Sequence, residues 1–109
     1  MAEHVRVETT AGSRDEAQAL AASVVAARLV ACAQVSGPIA SSYRWRGAVE
    51  TDEEWLLVCK TAAGRLDSLV AHLRAEHSYD VPEIIAVPIT GGNPDYLTWL
   101  TDETREDAG

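Results

Sequence analysis

The chain has 109 residues, enough for one hydrophobic core and too few for two. Seventeen acidic against nine basic side chains leave a net charge of -8, a field that repels phosphates and anionic headgroups, so neither nucleic acid nor a membrane surface is an expected partner. The most apolar stretch, residues 19–35, is interrupted by Ser23, Arg28 and Gln34 and does not read as a membrane span.

In chain order, Val5 and Val7 alternate with polar neighbours between positions 4 and 10, which predicts a strand with one buried face. Ser13, three residues before Glu16, fits a capping box, and Ala17, Leu20, Ala21 and Val24 continue from it at helical spacing. Residues 29–35 form a second apolar run, and after Gly37-Pro38 the alternation returns as Tyr43 and Trp45 between Arg44 and Arg46. Beyond a turn at Gly47, residues 50–60 read as a third strand, with Trp55, Leu57 and Cys59 on one face and Leu56 and Val58 on the other. The two runs predict a long, twisted hairpin.

Thr61 is placed as the N-cap of a second helix carrying Leu66, Leu69, Val70 and Leu73 on one stripe, with His72, Arg74 and His77 toward its C-terminal end. The unbroken apolar run at 84–89 predicts a fourth strand in a central, doubly covered position, its pairing confined by Pro82 and Pro88. Asn93-Pro94-Asp95 announces a third helix with Tyr96, Trp99 and Leu100 on its apolar face. An ordered core over 4–101 is expected, followed by a frayed acidic tail at 102–109.

The order βαββαβ with a terminal helix is the α+β, ferredoxin-like split βαβ arrangement, here a single domain over 1–109 with a long hairpin between its second and third strands. Two helices cover one face of such a sheet. They cannot also shield hairpin tips bearing Tyr43, Trp45 and Trp55, so self-association through the hairpin edges is expected. Cys32 and Cys59 lie in apolar runs and are expected as free thiols of a reducing compartment. The opening residues show no basic start running into an apolar core, and a cytoplasmic location is the expectation.

Six ordered motifs carry a resemblance: T-T-A at 9–11, L-V-A-C-A at 29–33, S-S-Y-R-W-R-G at 41–47, C-K-T at 59–61, H-S-Y-D-V-P-E at 77–83 and G-N-P-D-Y-L-T-W-L at 92–100. Together they resemble the CutA divalent-cation tolerance proteins. The resemblance implies a ferredoxin-like subunit in a tight homotrimer, related in architecture to the PII signalling proteins and linked to copper and other divalent cations. It implies no enzyme activity and no organic cofactor. Thr9 and Glu76 stand where some relatives carry cysteine and a second histidine, which are softer metal ligands.

His77, Glu83 and Cys32 occupy motif positions and form the candidate metal set, an imidazole, a carboxylate and a thiol being ligands that suit copper. Each of the first and last has a plainer reading: His77 as a helix-end hydrogen-bonding group and Cys32 as a small core hydrophobe. Tyr43, Trp45, Lys60, Tyr79, Glu83, Tyr96 and Trp99 form a second candidate set. They would line a cleft between subunits, with Lys60 for a small anionic ligand and aromatic faces for a ring. The alternative is a subunit interface of aromatic anchors with a Lys60 to Glu83 ion pair. Ser41 and Ser42 lack a glycine elbow, and Gly91-Gly92 lacks the lysine of a phosphate loop, so no catalytic constellation is legible.

Overall fold

The computed structural model describes residues 2–106. Its elements are β1 (His4–Ala11), α1 (Arg14–Ala26), β2 (Cys32–Trp45), β3 (Ala48–Ala62), α2 (Leu66–Glu76), β4 (Ile84–Ile89) and α3 (Pro94–Glu103), with a 3-10 turn at Ala63–Arg65 ahead of α2. The strands form one antiparallel sheet in the order β2-β3-β1-β4, the ferredoxin-like order expected from the sequence.

Local chemistry sets the helix starts. The Ser13 hydroxyl accepts from the Glu16 amide at 3.1 Å, and Asn93 Oδ1 accepts from the Asp95 amide at 3.0 Å with Pro94 in the first helical position. Thr61 departs from its expected role. It lies within β3, fully buried, and its hydroxyl donates to the Leu29 carbonyl at 2.7 Å, while α2 begins after the 3-10 turn without a side-chain cap.

β3 is the spine, paired with β1 through residues 55–62 and with β2 between residues 48 and 60. Its pleat sends Leu57 and Cys59 to one side, where they join Val5, Val7, Leu20, Val24, Leu69 and Leu73 in a buried cluster beneath α1 and α2. Lys60, Val58 and Leu56 face the other side. There α3 crosses the sheet, held by His4 Nε2, which donates to Thr101 Oγ1 at 2.8 Å because the threonine proton is directed to the Leu97 carbonyl. The helix continues to Glu103, Thr104 is buried, and Arg65 pairs with Glu106 at 3.0 Å. The expected fraying therefore does not begin at 102; residues 107–109 lie outside the described residues.

β4 is an edge strand, not the central one expected from its apolar run: it pairs only with β1 within this sheet, and its four middle residues are exposed. The physical reason is that Pro88, opposite Val5, cannot donate to a second neighbour. Its unbroken hydrophobicity leaves Ile85 and Val87 facing solvent within the isolated chain.

Between Ser36 and Ile39 the β2 register slips by one extra residue, a bulge that reverses which side chains face which way. Cys32 and Gln34 share a face with Lys60 and Val58, and past the slip that face is continued by Ile39, Ser41 and Tyr43. Gly37 holds the bulge at φ +147, with the Trp55 Cδ1 only 2.8 Å from where a Cβ would stand and the Glu54 carbonyl 3.1 Å away. Gly37→Ala is expected to cost at least about 2 kcal/mol through backbone strain and displacement of the indole. Chemical denaturation would show this as a lowered midpoint; an unchanged midpoint would contradict the packing described.

Candidate functional site

At the junction of the hairpin with the loop between α2 and β4 lies a cleft of about 810 Å³, lined by Tyr43, Trp45, Glu54, Tyr79, Asp80 and Glu83 among others. Four of the sequence candidates, Tyr43, Trp45, Tyr79 and Glu83, are brought together here. The hairpin supplies the first two because the β2 bulge turns them onto the Glu50, Asp52 and Glu54 face of β3. Tyr43 donates its hydroxyl to Asp52, its diagonal neighbour. Tyr79 donates to Glu54 Oε2 at 2.9 Å. Arg46 stands over the Trp45 ring at 5.2 Å and pairs with Asp80 at 3.8 Å across the mouth.

His77 lies behind this cleft, between the lining residues Thr10 and Tyr79. It is the C-cap of α2, and its side chain is wholly buried. Nε2 donates to the Thr10 carbonyl at 2.8 Å and Nδ1 accepts from the Tyr79 amide at 3.1 Å, which fixes a neutral ring with its proton on Nε2. The imidazole packs on the Tyr79 ring with centroids 4.8 Å apart. Glu16 completes the support: its Oε2 accepts from the Ser78 amide at 3.0 Å and lies 4.0 Å from His77 Nδ1. Burial opposes the charge on Glu16, but the hydrogen bonds from Ser78 and Gly12 outweigh it and hold its carboxyl below the usual range.

Cys32 stands apart from His77 and Glu83. It is half-buried on the α3 side of the sheet, opposite Lys60, and not in the cluster that encloses Cys59. The Thr10 residue bonded to His77 pairs with Leu56, four positions along β3 from Lys60, or about 13 Å at the strand rise. Both nitrogens of His77 are in use, and among the described residues no group of three or more His, Cys, Asp or Glu side chains is placed to hold a metal ion. The three predicted ligands do not fit a closed metal centre within one chain.

Lys60 is likewise away from the cleft and donates to Gln34 Oε1 at 2.9 Å, in place of the anticipated pair with Glu83. Arg6 opposes Lys60 and Thr9 opposes Ile84, the neighbour of Glu83, a separation of about 10 Å along β1. Tyr96 and Trp99 stack on α3 at 5.5 Å, near Cys32. The seven predicted cleft residues thus divide between two places on the molecule. A second depression, about 570 Å³ between His4, Ile89 and Thr101, gathers none of them.

Sequence reading passes over Glu54, Asp80 and Arg46 as site residues. The i, i+2, i+4 spacing of Glu50, Asp52 and Glu54 is the available signal, since a strand places all three on one face. Glu16 is legible in the sequence only as part of a capping box.

Comparison with known proteins adds the following. Residues 5–103 match the family described as CutA1 divalent ion tolerance protein. The chain is 46% identical over 100 residues to the chloroplastic Protein CutA 1 of Oryza sativa subsp. japonica, covering 92% of this chain and 56% of that one. It is 41% identical over 95 residues to the divalent-cation tolerance protein CutA of Thermus thermophilus, covering 87% and 92%. The chain spans little more than half the length of the plant relatives it matches. Among solved structures, CutA1 from Oryza sativa superposes with a TM-score of 0.93 at 43% identity, covering 97% of each chain. The Cut A1 protein of Thermus thermophilus superposes at 0.91 with 39% identity, covering 94% of this chain and 99% of that one.

All three tyrosines resist ionisation. Tyr43 is pushed up to about 12 by its bond to Asp52, and burial raises Tyr79 and Tyr96, helped by Glu54 and by Cys32 respectively. A raised phenol stabilises the fold below the unfolded value near 10 and ceases to do so as pH rises through the folded value. Phenolate absorbance should therefore stay low past pH 10 and rise together with unfolding. A gradual titration centred at about 10, the free phenol's value, with the fold intact would refute these contacts.

Proposed function

The chain belongs to the CutA1 divalent ion tolerance protein family, and on that premise we propose that it is a homotrimeric binding protein, not an enzyme, which serves divalent-cation tolerance through the cleft between hairpin and α2–β4 loop. The observation that carries this reading is the convergence of Glu54, Asp80 and Glu83 on the aromatic walls of Tyr43, Trp45 and Tyr79, a cation-attracting wall on a chain whose overall charge is -8. Copper(II) is the ion assigned first, because oxygen and nitrogen donors bind it more tightly than other first-row divalent ions. A neighbouring subunit would supply the donors that one chain lacks.

The trimer is supported by what the single chain leaves uncovered. Ile85, Val87, Tyr96 and Trp99 are exposed on the sheet side away from α1 and α2, and Tyr43, Trp45 and Val49 are exposed on the hairpin. Apolar area of this extent, beside open strand edges, is stabilised by association with like chains. Among the described residues no helix is long and apolar enough to cross a membrane. Both cysteines are free, which accords with the reducing cytoplasm as the proposed location.

A second reading has its own observation. With Lys60 engaged elsewhere, a cleft of carboxylates, phenols and an indole suits a small organic cation or a hydroxylated molecule better than the anion first expected. In that reading the trimer is a PII-like sensor, and a thermal-shift screen would reveal the ligand as a raised melting temperature.

Calorimetric titration of copper(II) into the full chain, with thiols reduced, checks the primary reading. Glu83→Gln should weaken binding at least about tenfold, or about 1.4 kcal/mol, while light scattering gives the mass of a trimer for both proteins. Equal affinities would remove the cleft as the cation site. A monomer at micromolar concentration would remove the assembly.

A further inference from the structure

The side of the sheet away from α1 and α2 carries its charges in separate places. Along β3 that face reads Glu50, Asp52 and Glu54 on the hairpin, then Leu56 and Val58, then Lys60 at the base. Arg6 of β1 stands directly opposite Lys60 and shares its face. Of the two hairpin arginines, Arg44 opposes Val49 and so belongs to the reverse face, and Arg46 at the turn is engaged with Asp80. The open face is therefore acidic at the hairpin tip and basic at the base.

Like charges directly opposite in an antiparallel pair have Cβ atoms about 4.5 to 5.5 Å apart and repel. Glu8 answers Arg6 at 3.3 Å, whereas Lys60 bonds to a neutral group, Gln34 Oε1, at 2.9 Å. The carboxylates of β3 on this face begin at Glu54, six positions from Lys60, or about 20 Å at the strand rise. They are out of reach of the lysine of their own chain.

We infer that the acidic hairpin tip of one copy, at Glu50 and Asp52, lies on Lys60 and Arg6 of the next. This contact presupposes the homotrimer proposed above and specifies how it closes. Tip on base is a heterologous contact, in which each copy gives one end and receives the other, and a closed rotation satisfies every end. Asp52 already accepts from Tyr43, but a carboxylate has room for a second donor. Between the two ends Ile85, Val87, Tyr96 and Trp99 are exposed on the same side. A free anion on Lys60 would leave them in water; a second copy supplies carboxylates and apolar cover together.

Exchange of subunits between isotope-labelled and unlabelled full chains, followed by native mass spectrometry with light scattering for the mass, tests the contact. The proteins compared are wild type, Lys60→Glu, the pair Glu50→Lys with Asp52→Lys, and a chain carrying all three changes. Each reversal brings like charges together and should speed exchange at least about tenfold. The combined chain should recover most of that loss, because opposite charges meet again. A wild-type rate in either reversed protein, or no recovery in the combined chain, overturns the contact and leaves the trimer standing. Wild type with the mass of a monomer or dimer removes the trimer itself and the contact with it. Inorganic phosphate that binds the assembled wild type and not Lys60→Glu would put a free anion on the lysine and equally overturn it. Should Lys60→Glu melt early, the exposed hairpin positions decide: unchanged exchange in Glu50→Lys with Asp52→Lys overturns the contact.

Discussion

The structure turns on a mismatch of strand lengths. β3 has 15 residues and β2 has 14, whereas β1 has 8 and β4 has 6. Only residues 56–60 of β3 find a partner on each side; from Ala48 to Glu54 the hairpin pairs with itself alone. Two-stranded ribbons are marginal in water, because neither face nor outer edge is covered. The proximal half is anchored by the buried cluster under α1 and α2. The distal half carries the carboxylates and aromatics of the cleft, so the segment with the fewest strand partners is also the one that holds the proposed site.

His77 links the two halves. Its ring bonds to the Thr10 carbonyl near the end of β1 and to the Tyr79 amide in the α2–β4 loop, so one buried, neutral imidazole sets the distance between sheet and loop. Glu16 ties the same loop to the start of α1 through Ser78. Tyr79 is thereby presented to Glu54, and the cleft wall owes its shape to groups that are not themselves in it. Buried hydrogen-bonded networks of this kind are costly to leave half satisfied, which makes His77 a residue that positions the loop.

Much of this was legible in the residues. Periodicity and apolar runs located the four strands and the first two α-helices, and caps at Ser13 and Asn93 marked the starts of α1 and α3, while the 3-10 turn at Ala63–Arg65 was not anticipated. The motif resemblance led to the right family. Thr61 misled because a threonine before a helical stripe looks the same whether its hydroxyl caps that helix or reaches back to Leu29. β4 misled because hydrophobicity records that a strand is covered, not by what; a chain that associates can carry an apolar edge strand. The candidate sites dispersed for a reason of geometry. Cys32 and Lys60 sit at one end of β3, His77 and Glu83 beside the other end of β1, and motif order along a chain contains no strand register. The face reversal at the β2 bulge, which brings Tyr43 over Asp52, had only Gly37-Pro38 as its trace.

The central claim, that the hairpin beyond residue 54 is completed by neighbouring copies of the chain, is tested most directly by amide hydrogen exchange resolved to single residues at micromolar concentration. In an isolated ribbon every second amide of residues 48–54 points away from β2 and exchanges at the rate of open strand edges. The account predicts that these outward amides exchange as slowly as those of residues 56–60, which are paired on both sides. Rapid exchange of the outward amides, with the core amides protected, would contradict it.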